Sequence, residues 1–316
     1  MKKITALTLA LVMSVNLFAQ GAQIALIGYG STTINIVDMQ TKKSVWSYKI
    51  PSNLDYRGNS IFLLEDGEHL VISTLTSAQV ISLKTKEKVW EYRPEGDSKT
   101  YEIHGLLPGE DGGFVIFVCK NPVEIIEVSK DFKIKNIVSL SGLKGTTNPH
   151  IMSRAVGQDK KGNYLFPWYG EKCIYRISPK GKILDTYDVG IMIFGLRELA
   201  NGNLLYGAMD ESKVCELDIK QNKVVKEIKT FQKQGARAWM QYTAQAEFLG
   251  YDKYLVANWT GHFRHHQDTK TSYSPVVMIV DSNGEISWDL TTEQAKAMGL
   301  TRGCTGFYYS ETPIVK

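Results

Sequence analysis

Short apolar segments alternate with polar turns along the chain, and one arrangement of them recurs about six times, as in repeat architectures. The clearest copy lies between Ser60 and Tyr92, where turns such as Glu65-Asp66-Gly67-Glu68 separate successive apolar segments. Gly, Asp and Asn fit tight hairpins, and the flanking Val, Ile, Leu and Phe are typical of strands. Four short strands cannot bury both faces of their sheet, whereas several such sheets stacked around an axis can. The pattern therefore predicts an all-β protein, a β-propeller of four-stranded antiparallel blades.

The spacing of the copies indicates the number of blades. The residues that end the fourth segments are Trp46, Trp90, Lys135, Leu184, Val225 and Trp288, separated by 44, 45, 49, 41 and 63 residues. The last interval contains an insertion between Asn258 and Pro275, and the others match the roughly 40–50 residues of a propeller blade. We therefore expect six blades. The alternative of seven blades would place another one within 231–249, which is too short for four strands.

The first copy lacks its first strand. After the N-terminal segment the apolar pattern begins at 24–27, which matches the second strand of the other copies. A segment with the residues of a strand lies at 306–310, near the other end of the chain. Pairing of these two segments would close the ring and cover two sheet edges. We therefore predict that a C-terminal strand completes the N-terminal blade.

Residues 1–20 have the features of a secretory signal. Lys2 and Lys3 precede an apolar stretch over 4–15, and small residues follow it. The stretch is too short for a secure membrane span. We expect export to the periplasm or beyond the cell, no membrane span in the mature chain, and a single propeller domain over 23–316.

Charge and cysteine content exclude several classes of function. The formal net charge is +4, and no basic stripe with interleaved aromatic residues occurs, which argues against a nucleic-acid partner. The chain has four Cys and none is in C-x-x-C spacing. We expect Cys119 to be a buried apolar residue. We expect Cys173 and Cys215 to be too far apart to bond, because they fall at equivalent places in successive blades.

Three copies carry a Trp five positions after a turn residue, in the segments 38–48, 83–92 and 281–288. These segments resemble the tryptophan-docking repeat of quinoprotein-like (PQQ-like) β-propellers. The resemblance implies that Trp46, Trp90 and Trp288 pack between neighbouring blades. Members of that family that bind the quinone have eight blades and an adjacent Cys pair, and this chain has no adjacent Cys. We therefore expect no quinone, and we predict no other cofactor and no metal.

A second resemblance, to periplasmic arylsulfotransferase-like propellers, rests on the segments 102–109 and 148–154. Those proteins are six-bladed and carry His and Arg where inner strands begin. The resemblance makes His104 and His150 candidates for the nucleophile or the general base in a group-transfer reaction. It covers only these two segments.

The connections that lead into the first strands share one face of a propeller with the turns between second and third strands. His, Arg or polar aromatic residues recur in these connections, and we expect them to converge on the central channel. The predicted ligand-binding residues are Arg57, His104, His150, Arg197, Arg237, Trp239, Tyr242, His262 and Arg302. Guanidinium groups suit carboxylate, sulfate or phosphate, and aromatic rings suit a sugar. His262, His265 and His266 lie in the insertion on the same face, where we expect a lid over the pocket or a mobile loop rather than a metal site.

Three functions remain open from the sequence. The first is an exported protein that binds an anionic or carbohydrate-like small ligand at the channel mouth. The second is an enzyme of the same shape, a transferase or lyase that uses a His and the Arg cluster. The third is a scaffold for a protein partner. Fold alone does not separate them.

Overall fold

The apolar segments form strands in the computed structural model, which describes residues 21–51, 57–143, 147–209, 211–261 and 273–315. The strands make six four-stranded antiparallel sheets arranged as the blades of a ring, so the predicted six-bladed β-propeller is confirmed. From the inside outwards, blade one is β26 (Gly306–Ser310), β1 (Gln23–Ile27), β2 (Thr33–Asp38) and β3 (Lys43–Lys49). Blade two is β4 (Gly58–Leu63), β5 (His69–Thr74), β6 (Ala78–Ser82) and β7 (Lys88–Tyr92). Blade three is β8 (Glu102–Pro108), β9 (Phe114–Cys119), β10 (Val123–Val128) and β11 (Ile134–Leu140).

The second half of the ring repeats this order. Blade four is β12 (Gly157–Gln158), β13 (Tyr164–Trp168), β14 (Cys173–Ile177) and β15 (Ile183–Asp188). Blade five is β16 (Ile193–Glu198), β17 (Leu204–Ala208), β18 (Lys213–Asp218) and β19 (Lys223–Ile228). Blade six is β22 (Tyr242–Gly250), β23 (Lys253–Trp259), β24 (Pro275–Val280) and β25 (Ile286–Thr291). The remaining elements are the hairpin of β20 (Gln232–Lys233) and β21 (Ala236–Arg237), the helix α1 (Thr292–Ala297), and 3₁₀ turns at Glu110–Gly112 and Pro149–Ile151.

The ring is closed by the C-terminal strand, as predicted. β26 pairs with β1 in antiparallel register, with Tyr309 opposite Ile24 and Phe307 opposite Leu26. Ile24, Leu26 and Phe307 are buried in one apolar cluster that also contains Trp288 of blade six. The first and last segments of the propeller therefore share one core.

The three repeat tryptophans pack against the next blade. The indole N–H of Trp46 donates to the carbonyl of Leu83 in blade two, and that of Trp288 donates to the carbonyl of Met39 in blade one, both at 2.8 Å. Trp90 is only partly buried and packs edge-on against Phe114 of blade three, with ring centroids 5.3 Å apart. The blade-packing role that the sequence predicted is thus seen at all three positions, although with less burial at Trp90.

Every fourth strand carries a β-bulge, and the bulge corrects the sequence alignment of three copies. The ladder shifts register after the residue opposite Trp46, Trp90 and Trp288, and at the corresponding place in β11, β15 and β19. Lys135, Leu184 and Val225 are the bulged residues, equivalent to Val45 and Val89 rather than to the tryptophans. Leu184 and Val225 are accordingly exposed, as Val45 and Val89 are. The true counterparts of the tryptophans are Asn136, Asp185 and Lys226.

The first strands line the central channel and run in one direction. Each begins after the connection from the preceding blade and ends in a hairpin to its second strand. We call the face where they begin the mouth face and the other the hairpin face. All four Cys are buried and free, which confirms the burial predicted for Cys119 and the separation predicted for Cys173 and Cys215. Among the described residues, no helix is long and apolar enough to cross a membrane.

Candidate functional site

Two segments of the mouth face bring four polar side chains together between blades three and four. Glu102 and His104 lie at the start of β8, and His150 and Arg154 lie in the connection that precedes β12. We call these four residues the Glu102 cluster. They come from the two segments in which the sequence analysis singled out His104 and His150.

The carboxylate of Glu102 is the centre of the cluster. His104 Nε2 lies 2.6 Å from Glu102 Oε2, and His150 Nδ1 lies 3.0 Å from Glu102 Oε1. Arg154 Nη1 donates to Glu102 Oε2 at 3.4 Å, and Arg154 Nη2 lies 2.6 Å from His150 Nε2. One carboxylate thus orients two imidazoles and a guanidinium.

Donor and acceptor chemistry fixes the tautomers that satisfy this geometry. Arginine has only donors, so its contact with His150 Nε2 is a hydrogen bond only when that nitrogen is the unprotonated one. The proton of neutral His150 is then on Nδ1, where it donates to Glu102. Nε2 of His104 lies 2.6 Å from Glu102 Oε2 and 3.2 Å from Arg154 Nη1, and the shorter contact with the carboxylate is a hydrogen bond only when Nε2 carries the proton. Arg154 Nη1 then donates to Glu102 rather than to His104. Nδ1 of His104 is buried and, among the described residues, has no hydrogen-bond partner.

Electrostatics favour the same protonation states. Burial, together with the charge of Arg154, lowers the pKa of His104 to about 4 in spite of its bond to Glu102. Burial alone would raise the pKa of Glu102, but the hydrogen bonds from His104 and His150 outweigh it and hold that pKa well below its usual range. Glu102 is therefore ionised at neutral pH and paired with the cation of Arg154. The cluster has no net charge when both imidazoles are neutral.

A β-bulge and a close approach of two blades position His104. Ile103 pairs with Val118 and Gly105 pairs with Phe117, so His104 is the extra residue of the bulge. Bulges re-aim side chains and are frequent next to functional sites. A Cβ on Gly105 would lie 2.3 Å from a methyl of Val156, so only glycine allows blade four to approach β8 this closely.

The connection before β12 holds the other two members. The side chain of Asn148 caps the 3₁₀ turn by accepting from the backbone N–H of His150 at 3.0 Å. Asn59, on β4 of blade two, donates to the backbone carbonyls of His104 and Arg154 and so ties both segments to a third blade. β12 is only two residues long, because this irregular connection occupies the place of its first half.

An open polar groove of about 630 Å³ borders the cluster on the mouth face. Its lining includes Glu95, Lys99, Lys120 and Asn121 and none of the four cluster residues, but it reaches Tyr101 and Pro149, the direct neighbours of Glu102 and His150 in sequence. The side chain of His150 is 42% exposed, whereas that of Arg154 is 11% exposed and that of His104 is buried. His150 is therefore the member that solvent or a ligand reaches most easily.

The structure brings only some of the predicted site residues together. His104 and His150 meet in the Glu102 cluster, as expected. Tyr242 and Arg57 belong instead to an aromatic group in blades six and one. The ring centroid of Trp259 lies 5.1 Å from that of Tyr242 and 5.3 Å from that of Tyr29. The guanidinium of Arg57 lies over the ring of Tyr29, 5.9 Å from its centroid. Arg302 borders the same group, since its side chain lies against Gly30. His262, His265 and His266 lie outside the described residues.

Arg237 lies beside the outer strand of blade six, whereas the backbone of Trp239 lies at the mouth-face end of β23 and β24 in the same blade. The connection from blade five to blade six first forms the β20–β21 hairpin, in which Gln232 pairs with exposed Arg237. Gln232 also bridges to Glu285, and Lys233 pairs with Asp289 of β25, so the hairpin follows the outer strand of blade six. Trp239 follows directly, with its backbone N–H bonded to the carbonyl of Tyr273. The predicted convergence of Arg237 with the two histidines was wrong, because the connection forms a hairpin that the repeat pattern does not predict.

Arg197 lies in the channel, but towards the hairpin face. It is the fifth residue of β16 and pairs with Leu205, one position before the strand ends. His104 is the third residue of the seven in β8 and lies near the mouth. The expectation that Arg197 joins the two histidines at the mouth was therefore also wrong.

Glu102 and Arg154 were missing from the predicted site, although both lie in the segments that carry His104 and His150. Glu102 precedes His104 by two residues, and Arg154 follows His150 by four. Among the described residues, no group of three or more His, Cys, Asp and Glu side chains is arranged to hold a metal ion. The guanidinium of Arg154 already supplies the positive charge between the two imidazoles.

Neither a protein-family model nor a curated protein matches the chain. Solved structures do. A protein of unknown function from Bacteroides caccae is similar over 92% of this chain and 98% of its own, with a TM-score of 0.77 and 22% identity. A catalytically inactive variant of virginiamycin B lyase from Staphylococcus aureus, solved with quinupristin, is similar over 87% of this chain and 86% of its own, with a TM-score of 0.56 and 14% identity. The WD40 propeller domain of Doa1 has a TM-score of 0.53 and 10% identity over 76% of this chain and 72% of its own.

These similarities establish the propeller fold. At identities of 22% and below they carry no residue of the site from one protein to another. Function has to be argued from the Glu102 cluster itself.

Proposed function

We propose that the protein is an exported β-propeller that binds a small anionic or polyhydroxylated ligand, such as an acidic sugar, in the polar groove of the mouth face. The observation that carries the proposal is the Glu102 cluster: a buried carboxylate holds Arg154 and the half-exposed His150 in fixed orientations beside that groove. Among the described residues Arg154 uses only Nη1 and Nη2 as donors, so its remaining N–H groups are left for a ligand.

Binding of an anion follows from this arrangement. Glu102 already accepts from three side chains, so it positions the donors and does not itself hold the ligand. A carboxylate or sulfate group would accept hydrogen bonds from the guanidinium of Arg154. Lys99 lines the groove and is available to the rest of the ligand, whereas Lys120 pairs with Glu124 and Glu95 adds a negative charge to the lining.

Calorimetric titration of glucuronate and of inorganic sulfate tests the proposal. Arg154→Gln removes charge-assisted hydrogen bonds worth about 1.5–3 kcal/mol, so we expect affinity to fall by about tenfold to a hundredfold. Arg93→Gln is the matched control, because Arg93 pairs with Glu91 on blade two, away from the cluster. Glucose shows how much of the affinity comes from the hydroxyl groups alone. Equal affinities in wild type and Arg154→Gln would refute the proposal.

A second candidate, an enzyme that transfers protons, is favoured by one specific observation. Glu102 orients the Nδ1 side of a solvent-exposed imidazole, which is how a carboxylate prepares a histidine for acid–base catalysis. In this version substrate replaces His150 as the partner of Arg154, which frees Nε2 of His150 to take the proton and lets Arg154 stabilise the developing negative charge, and the reaction is a group transfer or an elimination. Consumption of 4-nitrophenyl sulfate or of quinupristin by wild type, and its loss in His150→Gln, would establish this function. A protein that binds glucuronate without consuming either compound is a binding protein.

Two parts of the proposal are tested separately: that the protein is exported, and that it is not a scaffold for a protein partner. The signal at 1–20 lies outside the described residues. Sequencing the N-terminus of the protein recovered from the periplasm or medium tests export, because cleavage removes that segment. A scaffold role would instead require a stable complex with a second protein at the mouth face, and the Arg154→Gln variant would then retain full function.

A further inference from the structure

The central channel contains a cavity of about 290 Å³ that the mouth site does not use. Its residues nearest the mouth are buried and bonded across blades: Gln245 exchanges two hydrogen bonds with the backbone of Phe307, and Thr305 donates to the carbonyl of Gly58. Residues at the other end, such as Leu63 and Tyr309, are partly exposed. The cavity therefore opens on the hairpin face.

Two opposite charges face this cavity without forming an ion pair. Arg197 of β16 and Glu247 of β22 both line it. The guanidinium of Arg197 bonds only to the backbone carbonyl of Leu196 among the described residues, and Glu247 makes no hydrogen bond or ion pair with any of them. The two groups are still close enough to interact electrostatically, since Arg197 opposes the rise that burial causes in the pKa of Glu247.

Unpaired charges in an enclosed space are costly unless a ligand satisfies them. The rest of the lining is mixed: Leu63, Leu107 and Val156 supply an apolar wall, and Tyr308 and Tyr309 lie close enough to Glu247 to interact with it electrostatically. The volume is at the lower limit of the roughly 300–1,000 Å³ typical of ligand pockets, so the ligand is about the size of an amino acid.

We propose that this channel cavity binds a zwitterionic apolar amino acid from the hairpin face. Its carboxylate pairs with Arg197, its ammonium group pairs with Glu247, and its side chain packs on the apolar wall. A ligand that carries both charges satisfies both protein groups at once, whereas a simple anion would leave Glu247 unpaired. The sequence analysis did not find this site, because it assigned Arg197 to the mouth and did not consider Glu247.

The experiment is a calorimetric titration of the wild-type protein with L-leucine, L-isoleucine, L-methionine and L-phenylalanine. For the one that binds best, the analogue without the ammonium group and the analogue without the carboxylate are titrated next, 4-methylpentanoate and 3-methylbutylamine in the case of leucine. We expect each analogue to bind at least about tenfold more weakly, because it leaves one protein charge unpaired. This comparison needs no variant and so does not depend on how a mutant folds.

Variants then locate the site. Glu247→Gln and Arg197→Gln should each weaken amino-acid binding by about tenfold or more, while Arg154→Gln at the mouth should leave it unchanged. Absence of binding by all four amino acids up to about 10 mM overturns the proposal, since that limit corresponds to about 3 kcal/mol of affinity. Equal binding of the amino acid and 4-methylpentanoate, or loss of binding in Arg154→Gln alone, also overturns it. Failure of glucuronate to bind would affect the mouth site and leave this result intact.

Discussion

Replacing His104 by Gln tests whether the buried imidazole of the Glu102 cluster is held neutral. The amide nitrogen of Gln is close to the position of Nε2, so it still donates to Glu102, but it does not titrate. The pKa of His104 in the folded protein is lowered from 6.5 to about 4. Between these values the unfolded chain takes up a proton that the folded chain does not, so stability falls as pH decreases through this window.

The size of the effect follows from the shift. His104 is fully buried, so solvent screening does not reduce it. The full shift corresponds to roughly 3 kcal/mol, of which about 2 kcal/mol is lost between pH 7 and pH 5. Urea unfolding followed by tryptophan fluorescence at pH 7 and pH 5 measures this loss. Other titrating groups contribute equally to wild type and variant, so the difference between their pH dependences isolates His104.

We expect the free energy of unfolding of His104→Gln to decrease less than that of wild type from pH 7 to pH 5, by about 2 kcal/mol. His69→Gln is the matched control, because it makes the same replacement in a solvent-accessible turn of blade two, where His69 pairs with Asp66 and not with the cluster. Parallel pH dependences in wild type and His104→Gln would refute the reasoning, since they would mean that the imidazole titrates normally.

Three further predictions concern the ring. Trp288→Phe leaves the carbonyl of Met39 without its indole donor and should lower the free energy of unfolding by about 1–3 kcal/mol. Trp90→Phe should cost less, because Trp90 is only partly buried. Urea unfolding compares the two variants, and equal losses would contradict the role of the Trp288 hydrogen bond. Deleting 305–316 removes β26 and exposes two sheet edges, so the melting temperature should drop by many degrees, and an unchanged melting curve would exclude the closure. Asp289→Asn should cost about 2 kcal/mol at pH 7, because two Lys side chains lose their buried partner. Burial alone would raise the pKa of Asp289, but the hydrogen bonds from Lys233 and Tyr273 lower it below 3.8. The stability difference between wild type and Asp289→Asn should therefore shrink as the pH falls below that value. A difference that does not change with pH would mean that the carboxylate is not stabilised by these bonds.

The architecture was predictable because a repeat multiplies a weak signal. The closing strand at 306–310 followed from one missing strand, and Trp46 and Trp288 marked blade contacts because a large indole next to a turn has few other roles. The same reasoning failed at Lys135, Leu184 and Val225 for a physical reason. A β-bulge shifts the alternation of faces by one residue, and sequences without Trp at this position give no marker for the shift.

The candidate site was predictable only in part. His104 and His150 lie in segments that the topology necessarily brings to one face, so their proximity followed from the fold. Glu102 was not identified as their partner, because pairing across 48 residues depends on where a bulge and a 3₁₀ turn aim the side chains. Arg197 and Arg237 show the opposite error. Their positions depend on the depth within a strand and on an added hairpin, and neither is visible in the spacing of the repeats.

The most direct test of a ligand site at the Glu102 cluster is the ¹⁵N NMR spectrum of the imidazole side chains during titration with glucuronate, with His150→Gln used for assignment. In the unliganded protein we expect His150 at neutral pH to carry its proton on Nδ1, with Nε2 accepting from Arg154. Binding of an anion to Arg154 should shift the Nε2 resonance of His150, because Arg154 donates to that nitrogen in the unliganded protein, and His69 on blade two serves as the reference. A titration in which glucuronate binds but the His150 resonances do not move would contradict a site at this cluster.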